Sequence, residues 1–275
     1  MVYFLVLAFF ATLYISYRKS LNKKIEFAGK KAGPIRSAVL PVPQRIKDIL
    51  QKYFRYYQKL SPDNKAVFEK KVVRFLYSKR FIPRNVAEVT IEAKVLIAAS
   101  AVQLTFGLPN VYLRHFHTIL VYPNDYYSSI TKRFHKGEVN PLFGIIVLSW
   151  QSFIDGYIYA NDSFNVGLHE MAHALRLENI VRNEEYQFFD EELMEKLDRF
   201  ARNYCNTTTP DGDGFIRAYA CTNVHEFFSV AVENFFERPV DFKNTLPELY
   251  DILRKLLNQD PALLTESSNI GHGLG

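Results

Sequence analysis

Two histidines four residues apart, with a glutamate directly after the first, constrain this chain more than any other feature; they lie in GLHEMAHALRLENI, residues 167–180. Phe164, Leu168, Met171, Ala172 and Leu175 recur at three- and four-residue spacing, so the stretch reads as a helix, with Asp162 or Ser163 available to cap it. His169 and His173 then stand one turn apart on one face, where two imidazoles can share a cation. Glu170 lies on the adjoining flank, placed to act on a cation-bound water without being a ligand. Zinc suits this set, because imidazole binds it well and a catalytic zinc keeps one position open for water, whose pKa it lowers to ~7. With 7 His and 29 acidic residues in 275, the pattern would arise by chance roughly 0.02 times.

A catalytic zinc takes a third protein ligand. One class of site would place a glycine and a histidine three and six residues after His173, but those positions hold Arg176 and Asn179. The amphipathic stretch AYACTNVHEFFSVAVENFFERP (218–239) offers others. Glu226 lies 53 residues past His173, and His225 and Glu233 compete with it. Glu226 could equally complete a capping box with Asn223. Glu233 is two turns further on, about 10 Å at ~1.5 Å per residue, so both glutamates cannot ligate one ion. Spacing alone leaves the third ligand open.

Other motifs carry less. His115 and His117 alternate at strand spacing and could flank a metal, but read first as partly exposed strand positions. The run Asp211, Gly212, Asp213, Gly214 resembles part of a calcium loop but lacks the later glutamate, so it reads as a turn. Two cysteines, Cys205 and Cys221, make no disulfide framework; one bridge stays open, and a reducing compartment is favoured.

The N-terminus holds an uncharged apolar run, Val2 to Tyr17, followed by Arg18, Lys19, Lys23, Lys24, Lys30, Lys31 and Arg36. Its 16 residues span about 24 Å as a helix, slightly short of a typical membrane-spanning segment. The charge after the run argues for an anchor whose basic flank, and hence the domain, faces the cytoplasm. The competing expectation is an apolar helix packed on the domain or on a partner. The resulting division is an anchor helix over 1–18, a basic linker over 19–40, a folded domain over 41–262 and a flexible tail over 263–275. The net charge of +5 owes much to the first forty residues, which argues against a nucleic-acid-binding face on the domain.

Within the domain, Ser61 caps a helix that starts at Pro62 and closes at Pro83, and a second apolar helix covers 86–106. Two β-rich runs follow, 117–123 and 143–150, separated by a polar, aromatic loop. Further helices are expected over 163–178, 184–203, 224–237 and 247–258. The fold class is α+β and mostly helical, with a small mixed sheet. GIIVLSW (144–150) could form the sheet edge that pairs with substrate backbone beside the histidine helix. With 23 Phe and 17 Tyr the core should be built largely from rings.

The histidine motif, "AYA" and "EFFSVAVENFFERP", together with "RFLYSKRFIP", "TILVYP", "GIIVLSW" and "LPELYDILRKLLNQDP", resemble the Mlc titration factor A-type zinc-dependent peptidases. The likeness spans most of residues 45–262. It implies a zincin-like fold, one zinc ion and aminopeptidase-like activity on short peptides. It also implies Glu226 as the third ligand beside His169 and His173, through the E-x-F-x-V pattern. Glu170 would be the general base, and Tyr219 would face the metal, as in the related lethal-factor-type peptidase domain. The implied partners are a peptide substrate and a transcriptional repressor. The alternative is a non-catalytic binding protein on a peptidase scaffold. One departure stands out: the family usually has Asp where this chain has Arg176, and Glu178 is the candidate to replace it as a histidine-orienting acceptor.

Overall fold

The computed structural model describes residues 41–128, 132–159, 162–181, 187–207 and 214–264. The apolar run Val2–Tyr17, the basic linker, most of the Asp211–Gly214 turn and the tail from residue 265 lie outside the described residues.

The chain opens with α1 (Gln44–Tyr53), the single turn α2 (Arg55–Gln58) and α3 (Pro62–Ser78). Ser61 caps α3 by accepting from the Asn64 N–H, and Pro62 sits at the first helical position, where its missing N–H costs nothing. The helix ends at Ser78, earlier than expected. Residues Arg80–Pro83 form a strand, β1, because their backbone pairs with a later strand, so Pro83 closes β1 and not α3. Helix α4 (Ile91–Thr105) is buried on every side from Val95 to Thr105 and packs on α1, α3 and α6. A helix apolar all round has no solvent face and sits at the centre.

The sheet has the order β1-β2-β6-β5, with β2 (Thr118–Tyr122), β5 (Gly137–Asn140) and β6 (Ile145–Ser149). Strands β1, β2 and β6 run parallel, and β5 returns antiparallel with Glu138 opposite Val147. The expected polar loop between the β-rich runs therefore holds strands of its own: β5, and a small hairpin of β3 (Tyr126–Ser128) and β4 (Arg133–His135). β6 is an interior strand. The expectation that 144–150 forms the edge fails, because β5 covers that side and is itself the edge.

Helix α5 (Trp150–Ile158) follows β6 with Ser149 as its cap, and α6 (Val166–Val181) carries the histidines. The remaining elements are α7 (Glu191–Thr207), a 3-10 turn over Ala218–Thr222, α8 (Val224–Glu237), α9 (Pro239–Thr245) and α10 (Pro247–Leu257). α6 lies against α4, α5 and α8 and against the sheet at β5 and β6. At Gly167 an added Cβ would stand 2.5 Å from the Phe153 ring, so a residue without a side chain lets α6 press onto α5. Rings do fill the core: Phe54, Phe68, Phe153, Phe227, Phe235 and Phe242 are fully buried. Among the described residues no helix is long and apolar enough to cross a membrane.

Candidate metal centre

Helix α6 starts one turn later than its sequence suggests. Asn165 is the cap, accepting from the Leu168 N–H at 2.9 Å. Asp162 instead accepts from Phe164, and the Ser163 hydroxyl donates to Asn234. Leu168, Met171, Ala172 and Leu175 are buried, which turns His169 and His173 towards α8. Their Nε2 atoms stand 3.1 Å apart.

Asn223 caps α8 by accepting from the N–H groups of His225 and Glu226, at 2.9 and 3.0 Å. The Glu226 Oε2 reaches 3.1 Å from His169 Nε2 and 3.3 Å from His173 Nε2. Three donors bound ~2.0–2.1 Å from one tetrahedral ion stand ~3.3 Å apart. The triangle fits that spacing on every side. The buried Oε2 also accepts no aligned hydrogen bond despite its two close nitrogens, as expected for an atom aimed at a common centre. Among the described residues this is the one cluster of histidine, cysteine and carboxylate donors able to hold an ion. His225 is outside it.

Glu233, weighed in the sequence as a rival ligand, has another place. Its Oε1 lies 2.7 Å from His169 Nδ1 and accepts from Arg217 at 2.7 Å, while Oε2 accepts from the Asn165 N–H at 2.6 Å. That keeps a proton on Nδ1 and aims Nε2 at the cluster, where a bound cation would take the place of a second proton. Burial opposes charging His169, but Glu226 and Glu233 outweigh it and raise its pKa to about 10. Burial likewise pushes Glu226 up, yet the two histidines hold it well below the usual carboxylate range.

Arg176 and Glu178 do not supply the orienting acceptor. Arg176 is buried, bonds Asp198 at 2.7 Å and lies over the Phe228 ring. Glu178 accepts from the backbone N–H groups of Arg114 and His115, pinning the segment before β2. His115 meets the Pro141 carbonyl and His117 meets the Thr118 hydroxyl, so that pair serves the loops.

Glu170 is buried on the flank of α6 facing β5. A Cβ at Gly137 would stand 2.5 Å from its Cγ and Oε1. Burial raises the Glu170 pKa, with both histidines opposing. Tyr219, half exposed in the 3-10 turn, places its ring 6.2 Å from the His169 ring; burial first and Glu226 second push its hydroxyl up to about 12. A disulfide between Cys205 and Cys221 ties that turn to α7. His169, Glu170, Tyr219 and Gly137 line one cleft of about 770 Å³.

The sequence profile described as glucose-regulated metallo-peptidase M90 matches residues 30–257. The chain belongs to that family. Its relatives include an uncharacterised protein of Synechocystis, 28% identical over 246 residues, covering 81% of this chain and 86% of the relative. Mlc titration factor A of Escherichia fergusonii is 26% identical over 227 residues, covering 74% of this chain and 82% of the relative. Its namesake in Yersinia pestis is 26% identical over 211 residues, covering 68% and 75%. The family is one of metallopeptidases, which implies a metal, and His169, His173 and Glu226 are the donors that fit one. Sequence reasoning missed the parts played by Asn165, Arg217, Glu233 and Gly137. For Glu233 a signal existed: it follows Glu226 by seven residues, two turns along one helix face.

Proposed function

We propose that the protein is a zinc-dependent peptidase of the gluzincin type, with His169, His173 and Glu226 holding one zinc ion. The carrying observation is the triangle of ligand atoms at 3.1–3.3 Å, backed by Glu233 on the far side of His169. A zinc bound there would supply a Lewis acid and a water acidified to a pKa of ~7. Glu170 would serve as the general base that accepts a proton from the attacking water and returns it to the leaving amine. Its buried position keeps the carboxylate poorly solvated and basic. The Tyr219 hydroxyl, protonated at neutral pH, donates to the oxyanion of the tetrahedral intermediate. The outer side of β5 offers backbone groups on which an extended peptide can lie. The aminopeptidase-like preference for short peptides is carried over from the family resemblance.

A transcription regulator as protein partner belongs to the same proposal, supported by relatives named Mlc titration factor A. So do the division into anchor, linker, domain and tail, and attachment to a membrane through Val2–Tyr17 with the domain on the cytoplasmic side. The Cys205–Cys221 bridge weighs against the cytoplasmic side and against the reducing compartment the sequence favours, because structural disulfides persist mainly in oxidising compartments.

Glu170→Gln tests the hydrolytic reading. The variant is expected to keep its zinc and lose peptide turnover by several orders of magnitude. Unchanged turnover would remove Glu170 from the mechanism. A folded protein that holds no zinc and cleaves nothing would favour the binding-scaffold reading.

A further inference from the structure

The cleft beside the ligand triangle is walled by rings that water would not favour. Phe134, in β4, lines it and is 74% exposed. Phe164 and Tyr219 line it too, 58% and 53% exposed, and the Arg217 guanidinium lies 4.5 and 6.0 Å from their ring centres. Arg217 is engaged by Glu233, so this wall presents flat ring and guanidinium faces and little free charge. Exposed rings gathered around one concavity mark a surface that expects a partner.

These rings are also held in place. Phe134 is the cross-strand partner of Tyr127, whose ring meets it edge-on at 5.4 Å. Phe164 is held by the Arg217 guanidinium over its ring and by its N–H donation to Asp162. A pre-set ring loses little side-chain freedom when a ligand covers it. At the base runs β5, where Gly137 brings the backbone against Glu170. A peptide extended along that edge points successive side chains to opposite sides. Asp155, Asp162, Glu170 and Lys136 line the same cleft, and a carboxylate set against its rings would lose water without gaining a fixed partner.

We propose that the cleft selects peptides with a large apolar side chain next to the scissile bond, received against Phe134 and Phe164, and rejects acidic ones. This rests on the peptidase reading, and the test separates the two. Matched peptides carrying Leu, Ala or Glu at that position are offered to the zinc-loaded protein and to Phe134→Ala, at an exposed position outside the core. The preference for Leu over Ala is expected to be at least tenfold in kcat/KM, with Glu poorest. Phe134→Ala should cut kcat/KM for the Leu peptide about tenfold, through KM, and leave the Ala peptide within about twofold. Phe164→Ala should act in the same direction. In parallel, calorimetry measures binding of the same uncleaved peptides to Glu170→Gln and to Glu170→Gln combined with Phe134→Ala. Leu-selective binding that weakens with Phe134→Ala, without turnover by the parent, would sustain the inference while the hydrolytic reading fails. Turnover without side-chain preference, equal losses for Leu and Ala peptides, or binding that ignores both the side chain and Phe134 would overturn the inference.

Discussion

Glu233 is a carboxylate 1% exposed whose charge is met by His169, Arg217 and the Asn165 N–H. Such an acceptor behind a ligand histidine fixes its tautomer and raises its basicity. Glu233→Gln should lower zinc affinity 10–100-fold while Glu226 stays in place, read by competition with a chelator. Gly137 acts on the other side. Gly137→Ala puts a methyl 2.5 Å from the Glu170 Cγ and Oε1, so that carboxylate must move. The expected result is turnover reduced at least a hundredfold with zinc content unchanged, since a displacement of ~1 Å has that cost. Glu237 shows a third behaviour. Burial raises its pKa to about 8, with Asn165 opposing and Glu233 and Asp162 adding. It binds its proton more tightly folded than unfolded, so stability is full below the unfolded value near 4.5 and is lost as pH rises to about 8. Glu237→Gln should therefore raise Tm by a few degrees at pH 8.5 and change it little at pH 5. A larger gain at pH 5 would reverse the sign and contradict the assignment.

At the scale of elements, α6 and α8 were legible because their chemistry is local. Four-residue spacing on a helix fixes where His169 and His173 point, and apolar periodicity fixes which face is buried. Strands β3, β4 and β5 were not legible: each is three or four residues long, and their pairing is a long-range fact that no short window contains. The same holds for the end of α3, which β1 cuts short through its pairing with β2. Glu226 needed the family likeness, since its capping role and its ligand role share one sequence pattern. The 3-10 turn carrying Tyr219 depends on a tertiary link as well. Cys205 and Cys221 are 16 residues apart, and closing a loop of that size restricts the unfolded chain by about 3 kcal/mol. The double substitution Cys205→Ser, Cys221→Ser should lower unfolding free energy by that order, and peptide turnover should fall because Tyr219 loses its tether. Equal stability in the presence and absence of a thiol reductant would contradict it.

Across the whole molecule the site is assembled from distant parts of the chain. Helix α4 fills the centre, α6 lies between it and α8, and the antiparallel return of β5 brings the sheet edge to Glu170. The two helices that carry the candidate ligands are separated by α7 and the disulfide-tied turn, so the donor triangle forms only when the domain is folded. Zinc per chain by elemental analysis, on the protein and on Glu226→Ala, tests this most directly. One zinc is expected in the parent and a large loss in the variant, with both folded. Unchanged zinc in Glu226→Ala, or a folded parent without zinc, would contradict it.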